Sequence, residues 1–253
     1  MSPRTVIRLA QLSDLHLVGE EAPLPFGHDT AASLAAVVDA FPVRPDVVVM
    51  TGDLAEDGSI EAYRRVLAAT KDMAHELHAV PGNHDDPNGM TEVFGGGDDL
   101  RVVPLSPSWT TMLVNSQWLG HGAGRIGPET LHALDDALAA TKQHVVVCMH
   151  HPPASTCNDP YCGIVNAAET LRVLRRHKRL RAVLSGHLHR AFDNTHAGIR
   201  FLGGPSTSCQ LTHGGVPHFA PTSAPPAARL IDLHSDGAIT YQSVSARYAL
   251  AVH

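Results

Sequence analysis

Two short segments with the same local pattern carry the residues that are best suited to chemistry. The segments 51–54 (Thr-Gly-Asp-Leu) and 81–85 (Pro-Gly-Asn-His-Asp) each follow a short apolar run that is typical of a buried strand. Asp53 offers two carboxylate oxygens and can therefore bridge two cations, while Asn83 offers an amide oxygen and His84 an imidazole. The pattern predicts the middle of a two-metal site that cleaves phosphoesters.

Other predicted strands end in the same types of side chain. Asp14 and His16 follow the first strand, and residues i and i+2 of an extended segment point to the same side, so this pair is placed to hold one cation. His187 and His189 repeat the spacing after a later strand. With His150, which follows another apolar strand, the predicted metal ligands are Asp14, His16, Asp53, Asn83, His150, His187 and His189.

The chemical types of these ligands indicate which ions they would hold. Two carboxylates, one amide and four imidazoles suit Mn, Fe, Co, Ni or Zn, whereas Ca and Mg prefer shells of oxygen alone. No cysteine belongs to the set, which argues against a structural zinc site. Two divalent ions, two carboxylates and a bridging hydroxide leave a net charge of about +1, which attracts an anionic phosphoester. His84 has no ligand role in this scheme and is placed to contact a phosphate oxygen or to protonate the leaving group.

Strands and helices alternate in the first half of the chain and position these residues. The predicted helices cover residues 30–41, 59–72, 128–140 and 167–177. The predicted strands cover residues 6–12, 46–50, 77–80, 100–103, 110–115, 145–149, 182–184, 199–202, 229–233 and 239–243. The segment 87–99 is predicted to be irregular. These elements indicate one α/β domain over residues 1–253, with mixed sheets covered by helices and with the ligands at the edge where strand C-termini converge.

The overall composition narrows the class of protein. Of the 253 residues, 43% are hydrophobic and 17% are charged, so a large core can be buried. The formal net charge is −6, and without a basic footprint we expect no dedicated nucleic-acid binding. A signal-peptide pattern and an apolar run near the ~20 residues of a membrane span are both missing, so we expect a cytoplasmic protein without membrane association. The four cysteines are expected to be free thiols, although Cys157 and Cys162 are close enough in sequence to pair.

Taken together and in order, five blocks of this sequence resemble those of the calcineurin-like metallophosphoesterase family. The blocks are Asp14-Leu15-His16, Gly52-Asp53, Gly82-Asn83-His84-Asp85, His150-His151 and Gly186-His187-Leu188-His189. The resemblance implies a four-layer α/β/β/α sandwich of two mixed β-sheets flanked by helices, and a dinuclear metal site. It implies one metal held by Asp14, His16, Asp53 and His189. It implies a second metal held by Asp53, Asn83, His150 and His187. Asp53 and His84 would be the catalytic residues.

Within that family the chain resembles the bacterial class III cyclic-nucleotide and glycerophosphodiester phosphodiesterases. The segments that carry this finer resemblance are 149–153 (Met-His-His-Pro-Pro), 204–209 (Gly-Pro-Ser-Thr-Ser-Cys) and Asp159-Pro160. It implies hydrolysis of small phosphodiesters, such as cyclic AMP or glycerophosphodiesters, by in-line attack of a metal-bridging hydroxide. The implied cofactors are two divalent or mixed-valence ions of Mn, Fe, Zn or Co, and a homodimer is a possible assembly.

Two other functions remain open on these residues. The same metals would serve a phosphomonoesterase or a phosphoprotein phosphatase, and a low-turnover regulatory protein would also bind metal. The sequence also leaves open which loop forms the substrate wall, since 18–29, 87–99 and 203–226 are all candidates. His151, next to a ligand on a strand, is predicted to point the opposite way and to orient a ligand from outside.

Overall fold

The chain forms two mixed β-sheets in a computed structural model that describes residues 6–154, 159–212 and 219–247. The strands are β1 (Val6–Leu12), β2 (Val47–Thr51), β3 (Glu76–Val80), β4 (Leu100–Pro104), β5 (Trp109–Val114), β6 (His144–Cys148), β7 (Leu180–Ser185), β8 (Phe192–His196), β9 (Ile199–Gly203), β10 (Ala227–His234) and β11 (Ile239–Ser245). The helices are α1 (Thr30–Asp39), α2 (Ile60–Thr70), α3 (Pro87–Phe94), α4 (Pro128–Ala140) and α5 (Ala167–Leu174). Two short 3₁₀ turns lie at Pro25–Gly27 and Pro160–Cys162.

Parallel strands form the centre of both sheets. The first sheet has the order β11-β10-β1-β2-β3, in which β1, β2 and β3 are parallel and β10 and β11 are antiparallel neighbours. The second has the order β4-β5-β6-β7-β9-β8, with antiparallel strands at its two edges. Parallel strands end on the same side, so the residues that follow β1, β2, β3, β6 and β7 come together at one edge of the molecule.

Three apolar cores separate four layers. Along β2, Val47 and Val49 face the second sheet and pack with residues of β6 such as Val146, while Val48 and Met50 face the helices α1 and α2. The third core lies between the second sheet and the helices α4 and α5. A strand buried on both faces reads as a continuous apolar run, which is why these strands lack polar alternation. The four-layer α/β/β/α sandwich is therefore confirmed.

The helix α3 was not expected, since the segment 87–99 was predicted to be irregular. Asp86 caps the helix by accepting a hydrogen bond from the Gly89 backbone N–H at 2.7 Å, and Pro87 occupies the first turn, where a missing N–H has no cost. The helix packs through Met90, which is buried. Its single turn of apolar residues was too short to show helical periodicity in the sequence.

Strand β8 was also missed, because its side chains after Phe192 are polar and exposed. It is an edge strand that pairs antiparallel with β9 through a turn at Ala197 and Gly198, both of which have positive φ. An edge strand of this kind makes backbone hydrogen bonds to one neighbour without burying an apolar face.

Among the described residues no helix has the length and apolarity needed to cross a membrane.

The cysteines depart in part from the prediction of free thiols. Cys148 and Cys209 are free and buried. Cys162, in contrast, is disulfide-bonded, so the prediction was wrong for this residue. Cys157 lies outside the described residues. The count and scatter of cysteines indicate no disulfide framework, but they do not determine the state of a single thiol in a loop.

Candidate metal centre

The structure brings all seven predicted ligands to one edge of the two sheets. They follow β1, β2 and β3 of the first sheet and β6 and β7 of the second. Four groups of potential metal-binding atoms form there, each within 4.8 Å, and they share members such as Asp14, Asp53 and His150. The carboxylates and imidazoles among the seven are buried, and Asn83 is half-buried. Charged side chains that are buried in this way need hydrogen-bond partners, opposite charges or metal ions beside them.

Five of the seven residues have a left-handed backbone. The φ angle is 52° at Asp14, 50° at His16, 51° at Asp53, 71° at His187 and 45° at His189. The prediction that Asp14 and His16 converge because they lie two residues apart in an extended segment is therefore wrong in its reason, since both have a left-handed backbone. Each such residue costs about 1–2 kcal/mol, and clusters of them occur at functional sites. Backbone hydrogen bonds from Leu15 and His16 to the Asp53 carbonyl, at 2.8 and 3.0 Å, hold the two loops in this conformation.

Two glycines allow the close approach of these loops. A Cβ on Gly82 would collide with the carboxylate of Asp53, and one on Gly52, where φ is +92°, would collide with the ring of His150. The atoms that such a Cβ would meet belong to the backbone or to buried side chains, and not to the ends of flexible side chains. Glycine is therefore required at positions 52 and 82 because the neighbouring atoms leave no room for a Cβ, as well as for its backbone freedom.

The first donor set gathers around His16 and His189. Nδ1 of His16 donates to Glu56 Oε2 at 2.6 Å, and Nδ1 of His189 donates to the Cys209 carbonyl at 2.8 Å. The two Nε2 atoms face each other at 2.9 Å, with Asp53 Oδ2 3.7 Å from one and Asp14 Oδ1 3.8 Å from the other. Two ring nitrogens at this distance share either a proton or a metal ion, and neighbouring ligands about 2.1 Å from one ion have about this separation.

The second donor set lies across Asp53. Nδ1 of His150 donates to the Thr51 carbonyl at 2.8 Å, which directs its Nε2 to Asp53 Oδ2 at 3.3 Å and to Asn83 Oδ1 at 3.2 Å. Nε2 of His187 donates to the Tyr161 carbonyl at 2.6 Å, so its Nδ1 carries the lone pair. Carbonyl groups that fix the tautomer of a histidine are the usual outer support of a metal ligand. Asp53 contacts histidines of both sets.

An unsatisfied oxygen shows that these residues fit a cation. Asp14 Oδ1 accepts the His187 backbone N–H at 2.8 Å, whereas Asp14 Oδ2 is buried and has no hydrogen-bond partner. A buried carboxylate oxygen without a partner is costly unless a metal ion satisfies it. The oxygen, the facing nitrogens and the mixed donor types all agree with divalent metal ions at this edge.

Burial and mutual charge set the protonation of the site. Burial raises the pKa of Asp53, but the charge and hydrogen bond of His150 outweigh it and hold the pKa well below its ordinary value. Burial lowers the pKa of His187 and of His189 to about 4. Both rings are therefore neutral at pH 7, which is the form that binds a metal.

Metal binding is expected to release at least one proton per chain at pH 7. Burial alone would lower the pKa of His150, but the Asp53 carboxylate raises it to about 9, so the metal-free ring is protonated and must lose its proton to become a ligand. Apparent affinity for Mn²⁺ should therefore rise with pH up to about 9. Calorimetric titration of chelator-treated protein in buffers of different ionisation enthalpy measures the release. Binding without proton uptake by the buffer would contradict the assignment of His150.

His151 has a ring nitrogen within 4.8 Å of potential metal-binding atoms of His150 and His187, but its own hydrogen bonds occupy both nitrogens. Its Nδ1 accepts from the Ser116 hydroxyl at 3.0 Å, and its Nε2 donates to the Gly122 carbonyl at 3.1 Å, so neither nitrogen is available. Burial is the largest cause that lowers the pKa of His151, and the ring is neutral. It packs against His150 and His187 with ring centroids 4.6 Å from each, and so it supports two predicted ligands from behind.

Sequence reasoning missed Glu56, which links the first donor set to His84. Its Oε2 lies 2.6 Å from Nδ1 of His16 and 3.3 Å from Nδ1 of His84. One carboxylate therefore orients a predicted ligand and the predicted acid together. The available signal was its position three residues after Asp53 in the same loop, but an acidic residue before Asp57 and Gly58 also fits a simple turn.

Asp85 was also missed, although it belongs to one of the sequence blocks. Its carboxylate is buried and accepts backbone N–H groups from Leu54 and Ala55 at 3.0 Å and from Gly82 at 2.8 Å, and it accepts the Tyr63 hydroxyl at 3.2 Å. Burial and the nearby Asp53 charge raise the pKa of Asp85. The side chain is a structural clamp between the two loops that carry Asp53 and Asn83.

Replacement of Asp85 by alanine is expected to lower the free energy of unfolding by about 3–5 kcal/mol. Three buried N–H groups lose their acceptor, and each unsatisfied group costs about 1–3 kcal/mol, partly relieved by relaxation. Urea denaturation of the metal-free protein measures the change. Asp72→Ala, at a side chain that is 91% exposed, is the matched control and should stay within about 0.5 kcal/mol of wild type. A loss below 1 kcal/mol in Asp85→Ala would show that the loops hold without the clamp.

Comparison with known proteins finds similar sequences and a similar fold. The model of the calcineurin-like phosphoesterase family matches residues 7–191. The chain is 32% identical over 238 residues to a 3',5'-cyclic adenosine monophosphate phosphodiesterase from Pseudomonas aeruginosa, covering 91% of this chain and 87% of that protein. It is 30% identical to a 3',5'-cyclic-nucleotide phosphodiesterase from Nostoc, covering 100% and 97%. Among solved structures, a dimetal phosphatase from Danio rerio superposes with a TM-score of 0.70 at 16% identity, covering 95% and 99%.

Proposed function

Because the chain belongs to the calcineurin-like phosphoesterase family, we propose that it hydrolyses 3',5'-cyclic nucleotides to nucleoside monophosphates at this edge of the sheets. The observation that carries the proposal is the placement of Asp53 between two sets of histidines, with His84 in the lining of the same cavity. Relatives that match over nearly the whole chain are named for this activity.

Two divalent metal ions would be held by the two donor sets, with Asp53 common to both. We propose Asp14, His16, Asp53 and His189 for one ion, and Asp53, Asn83, His150 and His187 for the other. When bound, such a pair supplies positive charge and an activated water for in-line displacement at phosphorus. The family implies divalent ions, and Mn, Fe, Zn and Co are the candidates that these N and O donors favour.

The chain's own contribution to the reaction is to orient the phosphate and to supply a proton. His84 lines the cavity, and its Nδ1 faces the Glu56 carboxylate at 3.3 Å, so its Nε2 points away from Glu56. In a diester the leaving oxygen is an alkoxide, which needs a proton as the P–O bond breaks. His84 is the group placed to give that proton, and Glu56 fixes the ring in the orientation that this requires. Buried walls around the donors exclude bulk water from the other sides.

A substrate panel tests the proposal. Chelator-treated protein is reloaded with Mn²⁺, its metal content is measured, and turnover is compared for cyclic AMP, glycerophosphocholine, bis(p-nitrophenyl) phosphate and p-nitrophenyl phosphate. The expected result is about two metals per chain and a preference for the cyclic nucleotide. A preference for p-nitrophenyl phosphate would identify a monoesterase on the same site. Two metals without turnover of any ester would favour a regulatory metal-binding protein.

A further inference from the structure

The cavity above the donor sets has aromatic walls that the metal chemistry does not need. Its volume is about 410 Å³, and its lining includes Phe26, Tyr161 and Phe219 in addition to the metal-site residues. These rings come from three loops that follow β1, β6 and β9. The volume falls within the range of roughly 300–1,000 Å³ that holds small ligands.

The rings lie on two sides of the metal site. Phe26 packs edge-on against the first donor set, with centroids 5.3 Å from His16 at 89° and 5.6 Å from His189 at 67°. Tyr161 lies beside the second donor set, with its centroid 4.9 Å from His187 at 36°, and Phe219 packs on Tyr161 at 5.7 Å. The cavity therefore has an aromatic ring beside each donor set, and His16, Asp53, His187 and His189 share its lining; we call this cavity the slot.

The backbone holds both phenylalanines in an unfavourable conformation. The φ angle is 55° at Phe26 and 61° at Phe219, in the left-handed region that bulky residues rarely adopt. Burial does not offset this cost at Phe26, because 39% of the residue remains exposed. Strain at an exposed aromatic residue beside a reaction site is typical of a residue that serves a ligand. Tyr161, 41% exposed, also presents its ring to the cavity.

We propose that Phe26 and the Tyr161–Phe219 pair bind the nucleobase of the substrate while the phosphate occupies the metal site. This inference rests on the proposed function and assigns its specificity to residues outside the metal site. Every nucleobase has a flat π-face that stacks on an aromatic ring, whereas glycerol has neither a π-face nor a cationic group. The slot therefore selects cyclic nucleotides from other small diesters by their base, and not by their phosphate.

The test uses Phe26→Ala and Phe219→Ala in the metal-loaded protein. Neither side chain is a predicted ligand, and alanine accepts the left-handed backbone at least as well as phenylalanine. Tyr161 is left unchanged because its carbonyl accepts the hydrogen bond from His187 Nε2. Since the ring of Phe26 also packs against His16 and His189, the metal content of each variant is measured beside its kinetics. Val102→Ala, at an exposed apolar residue of β4 outside the cavity, is the matched control.

KM for cyclic AMP is expected to rise about 10- to 100-fold in each variant, with kcat within about threefold, since stacking of one base is lost. KM for glycerophosphoglycerol, a diester without a ring or a cation, should stay within about twofold, and the control should match wild type for both substrates. The proposal is overturned if KM for cyclic AMP stays within twofold in both variants. It is overturned equally if glycerophosphoglycerol loses affinity by the same factor, because the rings would then shape the site without reading a base.

Inhibition by adenosine separates this proposal from the proposed function. Adenosine carries the base without a phosphate and should compete with bis(p-nitrophenyl) phosphate in the wild type, with a Ki that rises about 10- to 100-fold in both variants. If the wild type fails to hydrolyse cyclic AMP but shows this pattern, the proposed function fails and the base slot stands. If cyclic AMP is hydrolysed and the variants leave Ki unchanged, the slot fails and the function stands.

Discussion

Replacement of Asp53 by alanine is expected to lower turnover of any phosphodiester by more than about 1,000-fold and to remove bound metal. Asp53 lies close to imidazole nitrogens of both donor sets, with Oδ2 3.7 Å from His16 Nε2 and 3.3 Å from His150 Nε2. Its loss takes a negative charge from between two proposed cations, whose repulsion would then be uncompensated. Metal analysis and turnover with Mn²⁺ added back measure the two effects in one preparation.

Two further variants make the Asp53 result specific. Asp53→Asn keeps the shape and one oxygen but loses the charge, so it should hold at most one metal per chain and remain nearly inactive. Asp72→Ala removes an exposed carboxylate just after the C-terminal end of α2 and should match wild type in metal and in turnover. A variant at position 53 that keeps two metals and full turnover would overturn the shared-ligand assignment. The Asp53 carboxylate also accepts the His84 backbone N–H, so its loss removes a structural hydrogen bond. An unchanged circular dichroism spectrum therefore excludes unfolding as the cause of lost metal and turnover.

The positions of the donors were predictable because each follows a short, mostly apolar run that is typical of a strand. Five such runs end in Asp14, Asp53, Asn83, His150 and His187, and parallel topology then places all strand ends at one edge. What the pattern did not contain was the backbone conformation. The left-handed φ angles at Asp14 and His16 arise from hydrogen bonds to the loop after β2, which is a contact between residues about 40 positions apart.

The supporting residues were not predictable for a related reason. Glu56 and Asp85 are two of 25 acidic residues, and only the folded loops show that one faces two histidines and the other binds three backbone N–H groups. Phe26 and Phe219 lie in loops without periodicity, which a sequence pattern cannot place. Of the candidate substrate walls, 18–29 and 203–226 reach the cavity with these two rings, whereas residues 87–99 contribute none of its lining.

Replacement of His84 by alanine is expected to lower kcat by about 100- to 10,000-fold while both metals stay bound. The imidazole lines the cavity and contacts Glu56, and it has no ligand role in the proposed set. Because its role is to give a proton to the leaving oxygen, the loss should depend on the leaving group. Cyclic AMP, which releases an alkoxide, should be affected strongly, whereas bis(p-nitrophenyl) phosphate, which releases a stable phenolate, should be affected by only about tenfold.

The same experiment decides between this role and a rival one, because His84 also lies within 4.8 Å of potential metal-binding atoms of His16 and Asp53. If His84 were a ligand, His84→Ala would lose metal, and turnover of both esters would fall by the same factor. His132→Ala, at a side chain of α4 that is 79% exposed, controls for the loss of an imidazole. Glu56→Gln should reproduce the leaving-group dependence in weaker form, since the ring of His84 loses its charged partner but stays in the cavity. Retained metal, with a much larger loss of turnover for the poor leaving group than for the good one, is the combination expected of a proton donor.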